Sequence, residues 1–180
     1  MIKYLLIISV FLIISNILFF IYMKYFIRLS HTDDLTGLSN FRYLKLYLKN
    51  TAKKYKIVLA IIDLNNFKKF NEISISKGDE VLIEFSNELN NLLISKAILF
   101  RYRMGDEFAL VFHNKNKDEI ISEIKMIKSY FKKYSFKCLP DMKDYRIDFC
   151  YGLSEIDNNS TNIDKLFEVA ELELANGKRE

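Results

Sequence analysis

Residues that interrupt regular structure are scarce in this chain of 180 residues, which has one proline, Pro140, and five glycines. Proline and glycine are the residues that most often end helices and strands. We therefore expect most of the chain to lie in regular elements. Hydrophobic residues make up 50% of the sequence, so the chain is able to build a buried core.

Cysteine and an excess of charge of one sign are also lacking. Cys138 and Cys150 are the two cysteines, and they match neither the ligand spacing of a zinc site nor the framework of a disulfide-rich domain. The 27 basic and 23 acidic residues are interspersed, and the formal net charge is +4. We expect two reduced cysteines in a cytosolic domain, an ordinary solvated surface and no nucleic-acid partner.

A long apolar run without charges occupies residues 4–23. In a helix this run rises ~30 Å, which matches the hydrocarbon core of a bilayer. A signal peptide would be shorter and would end in a small-residue cleavage site, whereas this run ends in Tyr22-Met23-Lys24. A core helix would show a polar stripe, and this run has none. The run predicts a single-pass transmembrane helix, and residues 1–28 form this segment with its flanks.

The basic residues beside this run predict its orientation. Lys24 and Arg28 follow the run, whereas Lys3 precedes it. Because cytoplasmic flanks carry the excess of lysine and arginine, we expect the carboxyl side to be cytoplasmic. The prediction is a protein of the inner, cytoplasmic membrane, with residues 29–180 in the cytoplasm.

The rest of the chain alternates between helical and strand-like patterns. Apolar residues at helical spacing predict helices over 40–55, 66–94 (with a break at Gly78), 118–134 and 162–175. Strand-like runs cover 57–64, 97–103, 107–113 and 145–153. The run 57–64 is apolar almost throughout, which is typical of a strand buried on both faces. This order predicts an α/β (α+β) domain with a mixed central sheet flanked by helices.

Carboxylates stand where the predicted strands end. Asp63 lies near the end of the apolar strand, and Asp106 and Glu107 lie at the turn of a predicted hairpin. A carboxylate is costly to bury unless it is paired or binds a metal, and oxygen ligands of this kind suit Mg²⁺. The structural alternative is that Asp63 caps a helix and Asp106 serves the turn. The spacing alone leaves both readings open.

Four segments, in order along the chain, resemble the motifs of GGDEF domains, the diguanylate cyclases. MGDEF at 104–108 resembles the GGDEF signature, and DDLTGLSN at 33–40 resembles the motif DxLTGLxN. DLNNFKKFNE at 63–72 is similar to D-x-D-x-F-K-x-x-N-D, and GDEVL at 78–82 matches G-D-x-x-L. A weaker likeness to A-D-x-A-L-Y-x-A-K covers 170–178. On these motifs, residues 29–180 are identified as a GGDEF domain.

This resemblance implies a palm-like nucleotide-cyclase fold and a reaction. Two GTP molecules would be condensed into cyclic di-GMP, with release of pyrophosphate, by a homodimer in which each domain presents one GTP. The resemblance also implies Mg²⁺ or Mn²⁺ as cofactor, held by Asp63, Asp106 and the backbone carbonyl of Leu64. Glu107 would assist at the metals and hold the reacting end in place.

The resemblance also assigns the residues that contact the substrate. A guanine-reading pair makes chemical sense, because a carboxylate accepts from the N1–H and N2–H₂ groups of guanine and an amide both donates and accepts. Each role has a structural alternative: Phe67 as a core anchor, Lys68 as a surface charge and Asn71 as a solvated side chain. The implied residues are Phe67 and Lys68 at the triphosphate, Asn71 and Asp79 at guanine, Gly105 at the close approach to the nucleotide, and Lys178 at the phosphates.

Several positions depart from the family pattern. Met104 replaces the first glycine of the signature, or else one glycine is deleted and Arg103-Met104 is the usual arginine and apolar pair. Asn65 stands where the family has a second aspartate, and the segment 71–79 is one residue shorter than usual. An arginine four residues past Lys178 is missing, with Arg179 as a possible substitute.

The product-inhibition motif R-x-x-D is absent at 95–98, so we predict no feedback binding there. Arg101 and Arg103 alternate with a tyrosine and are either solvated or close to phosphate. Because the carboxylates are retained, the prediction is an active cyclase. The alternative is a degenerate, weak or inactive domain that acts as a GTP-binding or dimerising module.

Overall fold

A computed structural model of the chain describes residues 2–103, 105–142, 145–158 and 162–179. Helices and strands cover most of these residues, as the scarcity of glycine and proline predicts. In chain order the elements are α1 (Ile2–His31), α2 (Phe41–Thr51), β1 (Ile57–Leu64), α3 (Lys68–Ile73), α4 (Ile75–Leu92), β2 (Ile98–Arg101), β3 (Glu107–His113), α5 (Lys117–Phe131), β4 (Phe149–Ile156) and α6 (Ile163–Gly177).

The strands form one four-stranded sheet in the order β2-β3-β1-β4. Each strand pair in this sheet is antiparallel. The predicted α/β class, with helices flanking a sheet, is therefore confirmed. The sheet differs from the prediction in one respect, because its strands pair antiparallel and a mixed sheet was predicted. Among the described residues, the parallel pairing is confined to one bridge between Ser39 and Phe100.

Strand β1 is buried on both faces, as its apolar run predicts. Alternate residues, beginning at Val58, face a core shared with α4 and α5, for example with Phe85 and Ile124. The other alternate residues, beginning at Ile57, face a second core that includes residues of α2 and α6. Helices cover the sheet on both sides, and β1 lies at its centre.

Some element boundaries differ from the sequence prediction, each for a local reason. The break between α3 and α4 falls at Ser74 rather than Gly78, because Ser74 is extended and its side chain accepts a hydrogen bond from the Lys77 amide. Strand β4 begins at Phe149 rather than at residue 145, since its pairing partner on β1, Leu64, is the last residue of that strand.

Helix α1 is one continuous helix with an exposed apolar surface. Its span Lys3–His31 reaches a mean hydropathy of 2.7, and none of that window is buried against the rest of the molecule. By length and composition it is able to cross a membrane. At its end, the Asn40 side chain donates to the Ser30 carbonyl (3.0 Å) and the Thr32 carbonyl (3.1 Å), which ties α1 to the start of α2.

The close packing of α6 on β4 depends on Gly152. A Cβ atom at this position would lie 2.1 Å from the Ala170 carbonyl oxygen and 2.3 Å from the Leu174 amide nitrogen, both backbone atoms of α6. We predict that Gly152→Ala pushes α6 off the sheet and lowers the free energy of unfolding by about 1–3 kcal/mol. Thermal unfolding of the full chain in detergent measures this change.

Gly177→Ala is the matched control, because a Cβ atom there meets no atom closer than 3.7 Å. The control is expected to leave the midpoint unchanged or slightly higher, since alanine favours the helix. Equal midpoints for the two variants would contradict the packing argument.

Candidate functional site

The turn between β2 and β3 is hydrogen-bonded to the end of β1. The Leu64 amide donates to the Asp106 carbonyl (3.3 Å), and the Tyr102 amide donates to the Glu107 carbonyl (3.0 Å). Gly105 has a φ of +91°, in the left-handed region that glycine adopts at no steric cost. Met104, the residue that departs from the signature, lies outside the described residues.

Three carboxylates converge at this point. Asp63 on β1 is the register partner of Glu107 on β3, and Asp106 directly precedes that strand. Burial raises the pKa of Asp106 and of Glu107, and repulsion from Asp63 raises both further. The sheet register therefore brings together the acidic residues that the sequence singled out.

Lys178 contacts this acidic group from just beyond the end of α6. Its Nζ lies 2.7 Å from Asp63 Oδ2, and the two side chains are 43% and 15% exposed. Burial disfavours the lysine charge, but the hydrogen bond to Asp63 and the charges of Glu107 and Asp106 outweigh it and raise the pKa of Lys178. A cation is thus already favoured at these carboxylates.

The donor set fits a hard divalent cation. Mg²⁺ binds through one or two carboxylates together with substrate phosphates, rather than in a closed cage of protein ligands. Asp63 and Asp106 supply such oxygens, and their mutual repulsion is relieved by a positive charge. In the described parts of the chain, no group of three or more His, Cys, Asp or Glu side chains is arranged to hold a metal ion without further ligands.

A cavity of about 610 Å³ opens on one side of the acidic group. It brings together six of the residues that the sequence predicted for substrate or metal. Leu35, Leu82 and Arg101 complete its polar and apolar walls together with Ile75. The six predicted residues are Phe67, Lys68, Asn71, Asp79, Gly105 and Asp106.

Asn71 reaches this cavity because Gly78 leaves room for it. A Cβ atom on Gly78 would lie 1.9 Å from Asn71 Oδ1, so any larger residue would displace that side chain. Asp79 is the next residue of α4 and lines the same cavity. The shortened segment 71–79 therefore still brings Asn71 and Asp79 to one place.

Phe67 and Lys68 have environments that also fit their structural alternatives, a core anchor and a surface charge. Phe67 is buried and packs on Phe70, with ring centroids 5.6 Å apart, so it anchors the core as well as lining the cavity. Lys68 is exposed, and its Nζ lies 3.7 Å from Glu72 Oε1. Lys68 is a surface charge at the rim of the cavity.

A second cavity, of about 510 Å³, opens beside Asp63. Lys178 and Leu64 line it, and so do Asn65 and Asn66 in the turn after β1. Asp63 lines this cavity and Asp106 lines the first one. Two concave surfaces therefore meet at the acidic group, one containing the asparagine and aspartate pair and one containing a lysine.

Arg101 is a residue whose position the sequence left undecided. It is 4% exposed, with its guanidinium 4.7 Å from the centre of the Phe108 ring, so the solvated reading is wrong. Its Nη1 has no hydrogen-bond partner among the described residues. By contrast Arg103 is half exposed and pairs with Glu171.

Lys128 and Asp148 also line the second cavity, and sequence reasoning missed both. Neither lies in a motif, and Lys128 belongs to the helix α5, which carries no predicted site residue. Only the packing of α5 beside the ends of β1 and β4 brings Lys128 near Asp63.

Comparisons with known proteins show which family the chain belongs to. A family model described as "Diguanylate cyclase, GGDEF domain" matches residues 30–180. The chain belongs to the GGDEF domain family. The resemblance and the nucleotide-cyclase fold that it implied are thereby confirmed.

Solved structures of GGDEF domains have the same fold. The coiled coil and GGDEF domain of DgcB from Caulobacter crescentus, in complex with c-di-GMP, aligns with a TM-score of 0.80 and 21% identity, covering 92% of this chain and 89% of that one. The diguanylate cyclase SiaD from Pseudomonas aeruginosa, in complex with its activator SiaC, aligns with a TM-score of 0.73 and 20% identity, covering 98% and 70%. These likenesses establish the fold.

Curated relatives associate the GGDEF domain with a membrane. Uncharacterized membrane proteins of Staphylococcus aureus strains USA300 and NCTC 8325 are 30% identical to this chain over 146 residues. The match covers 77% of this chain and 40% of each relative, so the chain spans less than half of their length. Together with the exposed apolar helix α1, these relatives support membrane association.

The convergence of carboxylates has a consequence for stability that Asp106→Asn tests. Because the folded state raises the pKa of Asp106, ionised Asp106 destabilises the metal-free fold at neutral pH. We predict that Asp106→Asn raises the thermal midpoint at pH 7 in the presence of a chelator. The gain should shrink as the pH falls through the folded-state pKa and be lost by pH ~3, where the wild-type carboxyl is protonated in both folded and unfolded chains.

The matched control is Asp141→Asn, which neutralises an exposed carboxylate in a turn without a described charge partner. No gain is expected from it. A midpoint for Asp106→Asn that lies below that of the wild type would contradict the prediction.

Proposed function

We propose that this chain is a membrane-anchored diguanylate cyclase that condenses two GTP molecules into cyclic di-GMP and releases pyrophosphate. One observation carries the proposal: two cavities meet at Asp63 and Asp106, one lined by Asn71 and Asp79 and the other by Lys178. A base with a phosphate chain needs such a pair of adjoining surfaces, with the reacting phosphate between them.

Guanine is proposed to bind in the cavity of Asn71 and Asp79. The Asp79 carboxylate would accept from the N1–H and N2–H₂ groups, which adenine does not present, and Asn71 would donate and accept beside it. Phe67, Leu35 and Leu82 give this cavity apolar walls for the base. The specificity for guanine would thus come from a polar pair held on two adjoining helices.

The phosphates are proposed to extend past Gly105 towards the second cavity. Lys178 would contact them, and Lys68 would contribute from the rim together with the backbone amides of the turn after β1. Lys178 now pairs with Asp63, and a cation at Asp63 would release the lysine to the phosphates. Glycine at position 105 lets the backbone approach the nucleotide closely.

Mg²⁺, or Mn²⁺, would be held by Asp63, Asp106 and the Leu64 carbonyl. When bound, such an ion lowers the pKa of an attacking hydroxyl and stabilises charge on the transferring phosphate. Glu107 would hold the reacting end at this point. Because its pKa is raised, Glu107 is also suited to accept a hydrogen bond from the attacking hydroxyl.

The reaction is proposed to need a homodimer in the membrane. Each protomer has one such pair of cavities, so two protomers facing each other would bring two GTP molecules together. Residues 4–23 would anchor each protomer, and the basic residues Lys24 and Arg28 favour a cytoplasmic position for the GGDEF domain.

A second candidate, a GTP-binding or dimerising module without turnover, is favoured by one observation. Met104 stands in place of the first glycine of the signature, and Arg103, just before it, has a φ of 41°, in the left-handed region that favours glycine. Such a turn could hold nucleotide while misplacing the reacting phosphate. Product formation separates this candidate from the cyclase.

The first test is turnover by the full chain in nanodiscs. We predict that GTP with Mg²⁺ is converted to cyclic di-GMP, and that Asp106→Asn lowers the rate at least about 100-fold, because a metal ligand is lost. Chromatographic separation of the products measures both rates. Asp118→Asn, an exposed acidic residue of α5, should retain the wild-type rate.

Nucleotide binding without any product, at high protein concentration and with either metal, would select the binding module instead. Absence of both binding and product would leave only a dimerising role for the domain.

A further test concerns Met104. Because the family has a glycine, which carries no side chain, at the first signature position, we predict that Met104→Gly raises the rate of product formation. Initial rates at saturating GTP measure the change, and Met142→Gly is a control for loss of a methionine elsewhere. An unchanged rate would show that Met104 does not limit the reaction. If the wild-type rate is low, the shortened segment 71–79 would then be its better explanation.

A further inference from the structure

Helix α5 contributes a single residue, Lys128, to the wall of the second cavity. Its side chain is 26% exposed, and its Nζ lies 3.4 Å from Asp148 Oδ1. Charge-assisted hydrogen bonds of this type are typically about 2.7–2.9 Å long, so the lysine is not tightly held. Lys128 shares this cavity with Lys178 and with Asn65 and Asn66, and it can reorient towards a ligand there.

At the α5 side of the cavity, two lysines face a single carboxylate. Lys178 balances Asp63, with which it pairs at 2.7 Å. Asp148 is shared between two lysines, since Lys132 lies 3.5 Å from its other oxygen. One carboxylate facing two lysines favours the entry of an anion.

Lys178 and Lys128 both line the second cavity. A triphosphate that relied on Lys178 alone would have one lysine for several negative charges. Lys128 reaches the same cavity from a different element of the fold.

We propose that Lys128 is a further substrate-binding residue, which contacts the terminal phosphates of GTP from α5. This inference rests on the proposed function. Asp148 acts as the resting partner of Lys128, and Lys132 remains to neutralise Asp148 when Lys128 turns to the phosphates. The structure thereby offers a further phosphate-binding lysine, beside Lys178 and Lys68, that no motif identifies.

The test compares two lysines that share one carboxylate. Lys128 lines the cavity, whereas Lys132 pairs with Asp148 and does not line it. Calorimetry on the full chain in nanodiscs would measure the Kd of GMP and of 3′-deoxy-GTP, which lacks the attacking hydroxyl. We expect Lys128→Ala to weaken 3′-deoxy-GTP about tenfold, the loss of one charged contact, and to leave GMP within twofold.

Lys132→Ala is expected to leave both affinities within twofold, and Lys128→Arg to retain most of the affinity for 3′-deoxy-GTP. Equal losses in Lys128→Ala and Lys132→Ala would overturn the inference, because both would then act through Asp148. Equal weakening of GMP and 3′-deoxy-GTP, or no weakening, would overturn it as well.

The two proposals fail in distinguishable ways. A wild-type chain that forms cyclic di-GMP while Lys128→Ala binds 3′-deoxy-GTP normally defeats the inference alone. A wild-type chain that binds no guanine nucleotide defeats the proposed function, and the inference with it.

Discussion

The burial of β1 on both faces is the constraint on which the other features depend. An eight-residue strand with apolar side chains towards two cores must lie at the centre of the sheet, with a strand on either side. The chain cannot continue this pattern past Leu64, so the strand ends where polar residues begin. Asp63 is consequently held in a buried strand with Glu107 directly opposite, and the carboxylates converge because the sheet register requires it.

The convergence of these carboxylates lowers the stability of the fold and favours a cation beside them. Neighbouring carboxylates repel each other, and burial adds to the cost of their charge, which raises the pKa values of Asp106 and Glu107. Lys178 offsets part of this cost in the absence of other cations, through its pair with Asp63. A site that is destabilised when empty gains stability from a bound cation, which is what the proposed phosphoryl transfer would need.

The connection between the apolar helix and the domain is short and well ordered. Helix α1 continues to His31, and the Asn40 side chain both caps α2 and binds the last carbonyls of α1. Asp33 accepts hydrogen bonds from the amide and the hydroxyl of Thr36, which fixes the turn between the two helices. A rotation or shift of α1 would therefore be transmitted to α2 and to the second core rather than absorbed in a flexible linker.

The sequence by itself determined the class of fold, the apolar helix and the family, because periodicity and motifs are local properties that can be read along the chain. Through the resemblance it also predicted Asn71 and Asp79 as a pair at guanine and Lys178 as a contact of the phosphates, and these roles stay predictions. Only the tertiary structure decided that the sheet is antiparallel, that α3 ends at Ile73, that Arg101 is buried and that Lys128 lines the cavity beside Asp63. The physical reason is that these features arise from contacts between residues far apart in sequence, and a lysine in an amphipathic helix shows no sign of the neighbours that packing will supply.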